Sequence, residues 1–380
     1  MSLEKDKPSI RIMPPDLEPW AGGNTSNSIA VLMSGGVDSS VTAMLLKEQG
    51  FQVLGVTMRI PVPAPSAEAA CVDAVKVSRS IGIPHYTVEL GDTFEEIVMS
   101  PFRQAYLTGT TPNPCVVCNA MIKFGAVWDA VEKEFGITKF ASGHYAQVLQ
   151  ENGRAYLAKG SDPARDQSYF LYRVSAERLP NLILPLGSRT KTAVREIARK
   201  AGLPVSERPD SQELCFAGGG DYRGVLGNAH DAGPGAIRDM SGKVVGQHRG
   251  ISNYTIGQRE GLGIAMGKPV YVVGIDTKEN TITIGPREAV MRKTVTAYDV
   301  NVLIPGAMNT GAKFSGKIRS YNKASMCTVV DFADGKMSVE FDTAQFAPTP
   351  GQHLVLYDDR NRIVAGGFIA ADVISPRKPL

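Results

Sequence analysis

The chain has 380 residues, a formal net charge of +3, 43% hydrophobic residues and five cysteines. The length exceeds one ordinary core and points to two or three domains. No apolar run approaches a membrane span, and no charged start leads into an apolar stretch of the kind that marks a secretory leader. So small a charge neither requires nor forbids a nucleic-acid partner, while five cysteines in a chain this long exclude a disulfide scaffold and leave metal or catalytic use in a reducing, cytoplasmic setting.

Residues 1–27 mix charge with Pro14, Pro15, Pro19 and a Gly-Gly-Asn-Thr-Ser run, and are expected to be a mobile extension. Ile29 to Met33 reads as a buried parallel strand, and Val41 to Leu46 as part of a helix packed on it. Between them lies Ser34-Gly35-Gly36-Val37-Asp38-Ser39-Ser40. At such a strand-to-helix turn the first amides lack helical partners and the dipole is positive, so the turn receives an anion, most simply phosphate. Gly35 and Gly36 permit close backbone approach, and Ser34, Ser39 and Ser40 add hydroxyls. Asp38 either orients the loop or holds a magnesium ion that bridges phosphates. No lysine follows the glycines, so this is not the P-loop of the common nucleotide hydrolases.

Further strands are predicted at Phe51 to Met58, His85 to Leu90 and Lys139 to Tyr145, the last ending in a turn. Helices are predicted at about 66–80, from a capping box at Thr93-Phe-Glu-Glu96, and at about Asn119 to Glu134. This alternation implies a parallel sheet covered on both faces, with ligand at the carboxyl ends of its strands, where Ser34, Met58 and Gly143 fall. Asn152-Gly153 marks a hairpin, and a helix from about Thr190 to Ala201 ends at Gly202 and Pro204. Beyond residue 217 helical periodicity fades. Residues 218 to about 285 read as a small, mostly β unit, and from about 290 short strands with regular turns read as a small barrel or sandwich.

The cysteines fall into two groups. Cys71 and Cys327 lie in apolar patterns and read as core. Cys115 and Cys118 lie in Thr111-Pro-Asn-Pro-Cys-Val-Val-Cys118, where Cys118 stands at the edge of a predicted helix whose N-terminus would lower its pKa. Cys215 lies in the polar stretch Asp210-Ser-Gln-Glu-Leu-Cys-Phe216. One Cys-x-x-Cys pair is open to metal binding, redox chemistry or chance. His144 reads equally as a satisfied turn histidine or as a boundary of a nucleotide or RNA site. Met58 and the aromatic run Tyr169 to Tyr172 read first as core, and second as surfaces for adenine or bases.

The Ser34–Ser40 turn resembles the PP-loop of ATP pyrophosphatases, which cut ATP between its α- and β-phosphates. Together with Thr111-Pro-Asn-Pro, Cys118-Asn-Ala-Met-Ile-Lys-Phe124, Ser142-Gly-His-Tyr145, Asp166-Gln-Ser-Tyr-Phe-Leu-Tyr172, Asp210-Ser, Cys215-Phe, Tyr254 to Gly263 and Pro350-Gly-Gln352, it makes the chain similar to the tRNA-specific 2-thiouridylases over all but the first 27 residues. The resemblance implies an α/β parallel-sheet PP-loop domain at 28–217, a small central domain at 218–287 and a C-terminal β barrel at 288–380, the last two holding the anticodon arm of tRNA. It implies ATP on Leu32, Met33, Ser34, Gly35, Gly36, Val37, Asp38, Ser39, Met58 and Gly143, with Mg2+. It also implies tRNA on Asn113, Pro114, Cys115, His144, Asp166, Gln167, Ser168, Arg319, Ser320 and Gln352.

The implied chemistry is adenylation of O2 of the wobble uridine, followed by sulfur delivery from a persulfide on Cys215. Cys118 then releases sulfide or closes a disulfide with Cys215, and the sulfur comes from a donor protein or sulfide. Much of that family has aspartate where this chain has Cys115. Three thiols, Cys115, Cys118 and Cys215, therefore stand as a ligand set for a [4Fe-4S] cluster beside the plain persulfide route. Alternative readings are another PP-loop sulfur transferase, or a non-catalytic tRNA-binding module. The joint presence of Asp38, Cys118 and Cys215 speaks against the module. No membrane partner is expected.

Overall fold

A computed structural model describes residues 10–22, 25–61, 65–209, 214–217, 223–226 and 233–371. The chain divides into two compact units, one of residues 1–99 with 115–221 and one of residues 100–114 with 222–380.

The first unit is built on β1 (Arg11–Pro15), β2 (Ser28–Leu32), β3 (Gln52–Arg59), β4 (His85–Glu89) and β5 (Lys139–Ser142), then a separate hairpin, β6 (Ala146–Glu151) and β7 (Arg154–Lys159), and finally the short β8 (Leu182–Ile183). The sheet order is β1-β4-β3-β2-β5-β8, parallel throughout except for β1. Every residue of β2 is buried, as a strand covered on both faces requires. Helices α1 (Val37–Glu48) and α2 (Pro65–Ile81) supply Ala43, Leu46, Ala74 and Val77 to a core with Ile29, Val31 and Val53. In the β6–β7 hairpin Glu151 faces Arg154 across Asn152 (φ 50°) and Gly153 (φ 74°), the paired left-handed turn that Asn-Gly predicts.

Several expectations are corrected here. Residues 11–15, expected in a mobile extension, form an antiparallel edge strand with Arg11 opposite Glu89 and Ile12 opposite Val88. An edge strand tolerates Pro14 and Pro15 because it pairs on one side only. Asp16 beyond it accepts from Thr87 Oγ1 at 3.0 Å and pairs with His85 Nδ1 at 2.9 Å. Residues 1–9 lie outside the described residues. Secondly, the helix expected from Asn119 begins at Pro114, where proline's missing amide costs nothing in the first turn. It runs through α4 (Pro114–Val117), a π-helical segment Cys118–Val127 and α5 (Trp128–Phe135), ending at left-handed Gly136. At 22 residues it is long and apolar enough to cross a membrane, contrary to the expectation that no run approaches that length. Ile122, Phe124, Val127, Trp128 and Val131 are buried within the protein, which accounts for the apolarity. Thirdly, Thr93 is itself helical rather than a cap, and Glu96 N bonds Asp92 O instead.

The second unit includes α3 (Ser100–Leu107) and two β cores. Strands β9 (Gly235–Arg238), β10 (Val244–His248), β11 (Tyr271–Asp276) and β12 (Thr281–Gly285) form a mixed sheet in the order β10-β9-β12-β11 over Ile237, Val272, Ile282 and Ile284. Strands β13 (Met291–Val302), β14 (Lys313–Lys317), β15 (Ser325–Ala333), β16 (Lys336–Phe346), β17 (His353–Tyr357) and β18 (Ile363–Ile369) close into a six-stranded barrel. Its interior is filled by Val295, Val329, Val339, Phe341, Leu354 and Leu356, so it is a packed core and not a channel.

Candidate active site

The sheet order reverses at β2, whose neighbours are β3 on one side and β5 on the other. The crevice at such a point, beyond the carboxyl ends of the strands, is where a doubly wound sheet takes its ligand. Ser34–Gly36 leaves β2 there, and Gly143 leaves β5. Gly35 holds φ +67°, and a Cβ on it would stand 2.3 Å from Ala70 O, so only glycine fits. A Cβ on Gly143 would meet Ser39 N at 2.8 Å and the Asp38 carbonyl carbon at 2.9 Å. The two turns therefore touch through bare backbone. Ser39 Oγ accepts from Ser34 N at 3.1 Å and donates to Gly36 O at 3.1 Å, and Ser40 Oγ donates to Gly36 O at 2.8 Å. Gly36 is the N-cap of α1 and no side chain caps it. A helix start that is backed by glycine, framed by hydroxyls and without a side-chain cap fits a phosphate. Leu32, Met33 and Val37 are buried, so they offer main chain only; Met58, at the end of β3, is half-buried.

Asp38 has a different role from magnesium binding. Both its oxygens accept from Lys191 Nζ at 2.8 Å, and Oδ1 also accepts from Tyr145 Oη at 2.8 Å. A carboxylate held this way orients the loop, and it does not fit a metal ion at the same oxygens. Lys191 escaped sequence reasoning. It opens α6 (Lys191–Lys200), capped by Thr190 Oγ1 accepting from Ala193 N, and its own N–H donates to Asp162 Oδ2 at 3.1 Å. A lysine at the first position of a helix opposes the dipole, and that was the available signal.

The structure brings the three thiols within electrostatic reach of one another, and all five cysteines are free. Cys118 is buried in the second turn of its helix, not at the N-terminus, so the expected depression of its pKa does not occur. Burial pushes it up to about 12 against the pull of Lys123. Burial also raises Cys115 and Cys215, again opposed first by Lys123, although Cys215 reaches the surface. Lys123 belongs to a quoted motif, but its role was not legible. In an α-helix it would stand about 140° round the axis from Cys118. The wider π-helical turn, closed by i to i+5 bonds, brings Lys123 round toward the Cys118 side instead. Gly125 permits the widened turn, since a Cβ there would sit 2.9 Å from Ala120 O. Among the described residues no group of three or more His, Cys, Asp or Glu side chains converges to hold a metal ion. The three thiols thus do not fit a cluster in this arrangement. Asp210 and Ser211 lie outside the described residues.

Several expected tRNA contacts have internal roles. His144 Nδ1 lies 2.8 Å from Ser142 Oγ with its ring against Phe124, and burial, then Lys123, hold it neutral. Asp166 Oδ1 accepts from Gly160 N and Ser168 N, and Gln167 bonds both ways with the Tyr145 main chain. Ser168 is fully buried and faces no solvent, which corrects its placement on RNA; Tyr169, Leu171 and Tyr172 are core. Within the second unit, Gln352 Nε2 donates to Thr111 O at 2.9 Å, which pins the Thr111-Pro-Asn113-Pro114 loop to Pro350–Gln352. Arg319 Nη2 donates to Ile256 O, Ala347 O and Thr349 Oγ1. Beside it, Ser320 is half-buried and Tyr321 is 97% exposed.

Three family models match in tandem: a tRNA methyl transferase HUP domain over residues 27–219, a tRNA methyl transferase PRC-barrel domain over 223–286 and an aminomethyltransferase β-barrel domain over 292–369. A tRNA-specific 2-thiouridylase of Moorella thermoacetica is 43% identical over 352 residues, which cover 89% of this chain and 98% of the relative. A second, from Caldanaerobacter subterraneus subsp. tengcongensis, is 43% identical over 364 residues, 92% of this chain and 99% of the relative. Among solved structures, a 4-thiouridine synthetase in complex with RNA and ATP aligns over 51% of this chain and 46% of its own, at 20% identity and a TM-score of 0.34, a likeness that carries no argument.

Proposed function

The chain belongs to the tRNA-specific 2-thiouridylase family, and on that premise we propose that it replaces O2 of the tRNA wobble uridine with sulfur at the expense of ATP. The observation that carries the reading is the presence in one unit of a phosphate cradle and three mutually interacting thiols around Lys123. ATP places its phosphates on Ser34–Ser39, with the α1 amides facing the charge and Lys191 holding Asp38. The uridine O2 attacks the α-phosphorus and pyrophosphate leaves. An oxygen that was a poor leaving group becomes part of AMP, a good one. The outer sulfur of a Cys215 persulfide attacks C2, and AMP departs. Cys118 then attacks Cys215 Sγ. The S–S bond breaks, sulfur stays on C2, and a Cys118–Cys215 disulfide remains for a thiol reductant to reopen. Cys118 must give up its proton for that attack, and Lys123 is the cation that lowers the cost.

Magnesium and a [4Fe-4S] cluster enter no step here, since neither the paired Asp38 nor the three thiols fit them as arranged. The sulfur arrives from a donor protein already as a persulfide: the Cys215 thiolate attacks the donor's outer sulfur and the donor's own thiolate leaves, and the setting is cytoplasmic, without a membrane partner. The PP-loop domain at 28–217 performs the chemistry. The central domain at 218–287 and the barrel at 288–380 bind the anticodon arm, with the Asn113–Pro114 loop, Gln352 and the Arg319–Tyr321 corner as contact regions. His144 and Asp166–Gln167 shape the catalytic unit around Tyr145.

The test is mass analysis of tRNA nucleosides after incubation with ATP, magnesium and a sulfur donor that carries a persulfide. Cys118→Ser and Cys215→Ser should each yield no 2-thiouridine, while Cys115→Ser should retain most of the parent yield. Thiolation by Cys215→Ser at the parent rate would overturn the persulfide route. tRNA retained on a filter without any thiolated nucleoside would leave only a binding module.

A further inference from the structure

Adenylating a uridine at O2 displaces a proton. Attack on the α-phosphorus turns the C2=O2 π pair into the new O–P bond. The pyrimidine then stays neutral only if ring nitrogen N3 gives up its proton and its N–H pair becomes the N3=C2 bond. The reaction therefore needs a base beside N3, between the phosphate turn and the thiols. Several ionisable groups of the unit are unsuited. Both oxygens of Asp38 are taken by Lys191, and one also by Tyr145. Burial keeps the Cys115, Cys118 and Cys215 thiols protonated. His144 differs from all of these. It directly follows Gly143, whose bare backbone meets Ser39 and Asp38 of the phosphate turn. Its ring rests on Phe124 at a centroid distance of 5.8 Å, on the π segment that also carries Cys118 and Lys123. Lys123 is the charged group that acts on this ring, and it acts on the three thiols as well. Nδ1 lies 2.8 Å from Oγ of Ser142, which is buried at the end of β5. With Nδ1–H donating there, Nε2 keeps its lone pair. Among the described residues Nε2 has no hydrogen-bond partner; the residue is half-buried, and this nitrogen is not among the sealed polar atoms of the fold.

We propose that His144 is a catalytic residue: Nε2 takes the N3 proton of the uridine as O2 is adenylated, and returns it when sulfur is released onto C2. The role rests on the thiolation reading and supplies its proton path. A weakly basic imidazole suits both halves. As the O–P bond forms, positive charge builds on the pyrimidine and N3–H becomes acidic, so a weak base suffices. The imidazolium that results, buried near Lys123, is a strong acid. When Cys118 attacks Cys215 Sγ, the electron pair of the broken S–S bond arrives on the C2 sulfur and spreads to N3. The imidazolium then gives its proton to N3, the C2=S bond is complete, and His144 is neutral again.

The test is the single-turnover rate of tRNA-dependent pyrophosphate release by the full chain, beside calorimetric binding of α,β-methylene ATP and filter binding of tRNA. His144→Asn can still bond Ser142 but cannot take a proton. It should slow pyrophosphate release by about a hundredfold or more, with both affinities at parent values. tRNA carrying 5-fluorouridine at the wobble position has a more acidic N3–H. In His144→Asn it should recover about tenfold of the lost rate, a rescue that a merely structural role would not produce. His144→Gln carries the same test if His144→Asn does not fold. Parent-like pyrophosphate release in the variant would overturn the proposal. So would a loss that weaker binding of tRNA or of the analogue accounts for in full, or one that 5-fluorouridine leaves unchanged. Formation of 2-thiouridine by the parent alongside any of these results would leave the thiolation reading standing and remove only the base.

Discussion

At Cys118 burial and a single cation pull in opposite directions, and burial wins. A thiol near 12 is ionised to about one part in ten thousand at pH 8. Its alkylation, resolved by peptide mass spectrometry, should therefore climb about tenfold per pH unit between pH 7 and 10 with no plateau. Lys123→Met should slow Cys118, Cys115 and Cys215 together, because all three lose the same charge. A plateau near pH 8 in the parent would show that Cys118 is already a thiolate. Residue identity was legible here and residue environment was not. The sequence displays both cysteines, but their burial follows from packing along the whole helix. Lys191 shows the same limit, since its partner Asp38 is 153 residues away.

A helix that widens and two turns that meet through glycine govern the site at the scale of elements. The strand-to-helix turn at Ser34–Ser40 was legible because apolar runs flank a cluster of glycine and serine. Its contact with the turn after β5 was not, because nothing local to Gly143 reports Ser39 or Asp38. Gly143→Ala places a methyl group against that backbone. We expect it to weaken ATP binding by about tenfold, roughly 1.4 kcal/mol, read by calorimetric titration with the α,β-methylene analogue. A smaller effect on melting temperature would separate this local clash from general unfolding. Parent-like affinity in that variant would place the phosphates elsewhere. The π segment could not be foreseen from hydrophobic periodicity, which over ten residues scarcely separates 3.6 from a wider repeat. The early start at Pro114 shows the reverse case, in which a proline left outside the expected helix is its first residue.

For the whole molecule, buried neutral groups set the pH range of stability. His85 and His144 are held below the ordinary value of 6.5 by burial. As pH falls through 6.5 the unfolded chain takes up protons that the folded chain refuses, and stability drops. Cys118 and Cys327 are pushed up to about 12 by burial, from an ordinary 9.0. As pH rises above 9 the unfolded chain ionises these thiols while the folded chain does not, and stability drops again. Urea midpoints should therefore be highest between about pH 6.5 and 9 and lower at pH 5.5 and 10. A midpoint that keeps rising to pH 10 would contradict the burial of the thiols. The sequence by itself determined the alternating α/β unit, the later β units and the phosphate turn, because hydrophobic period and glycine-serine chemistry act over a few neighbouring residues. Only the tertiary structure decided that Asp38 is paired with Lys191, that three thiols share Lys123, and that His144 rests on Phe124. Each of those relations joins residues on different turns or distant segments, and contact, burial and charge depend on distance in space rather than along the chain.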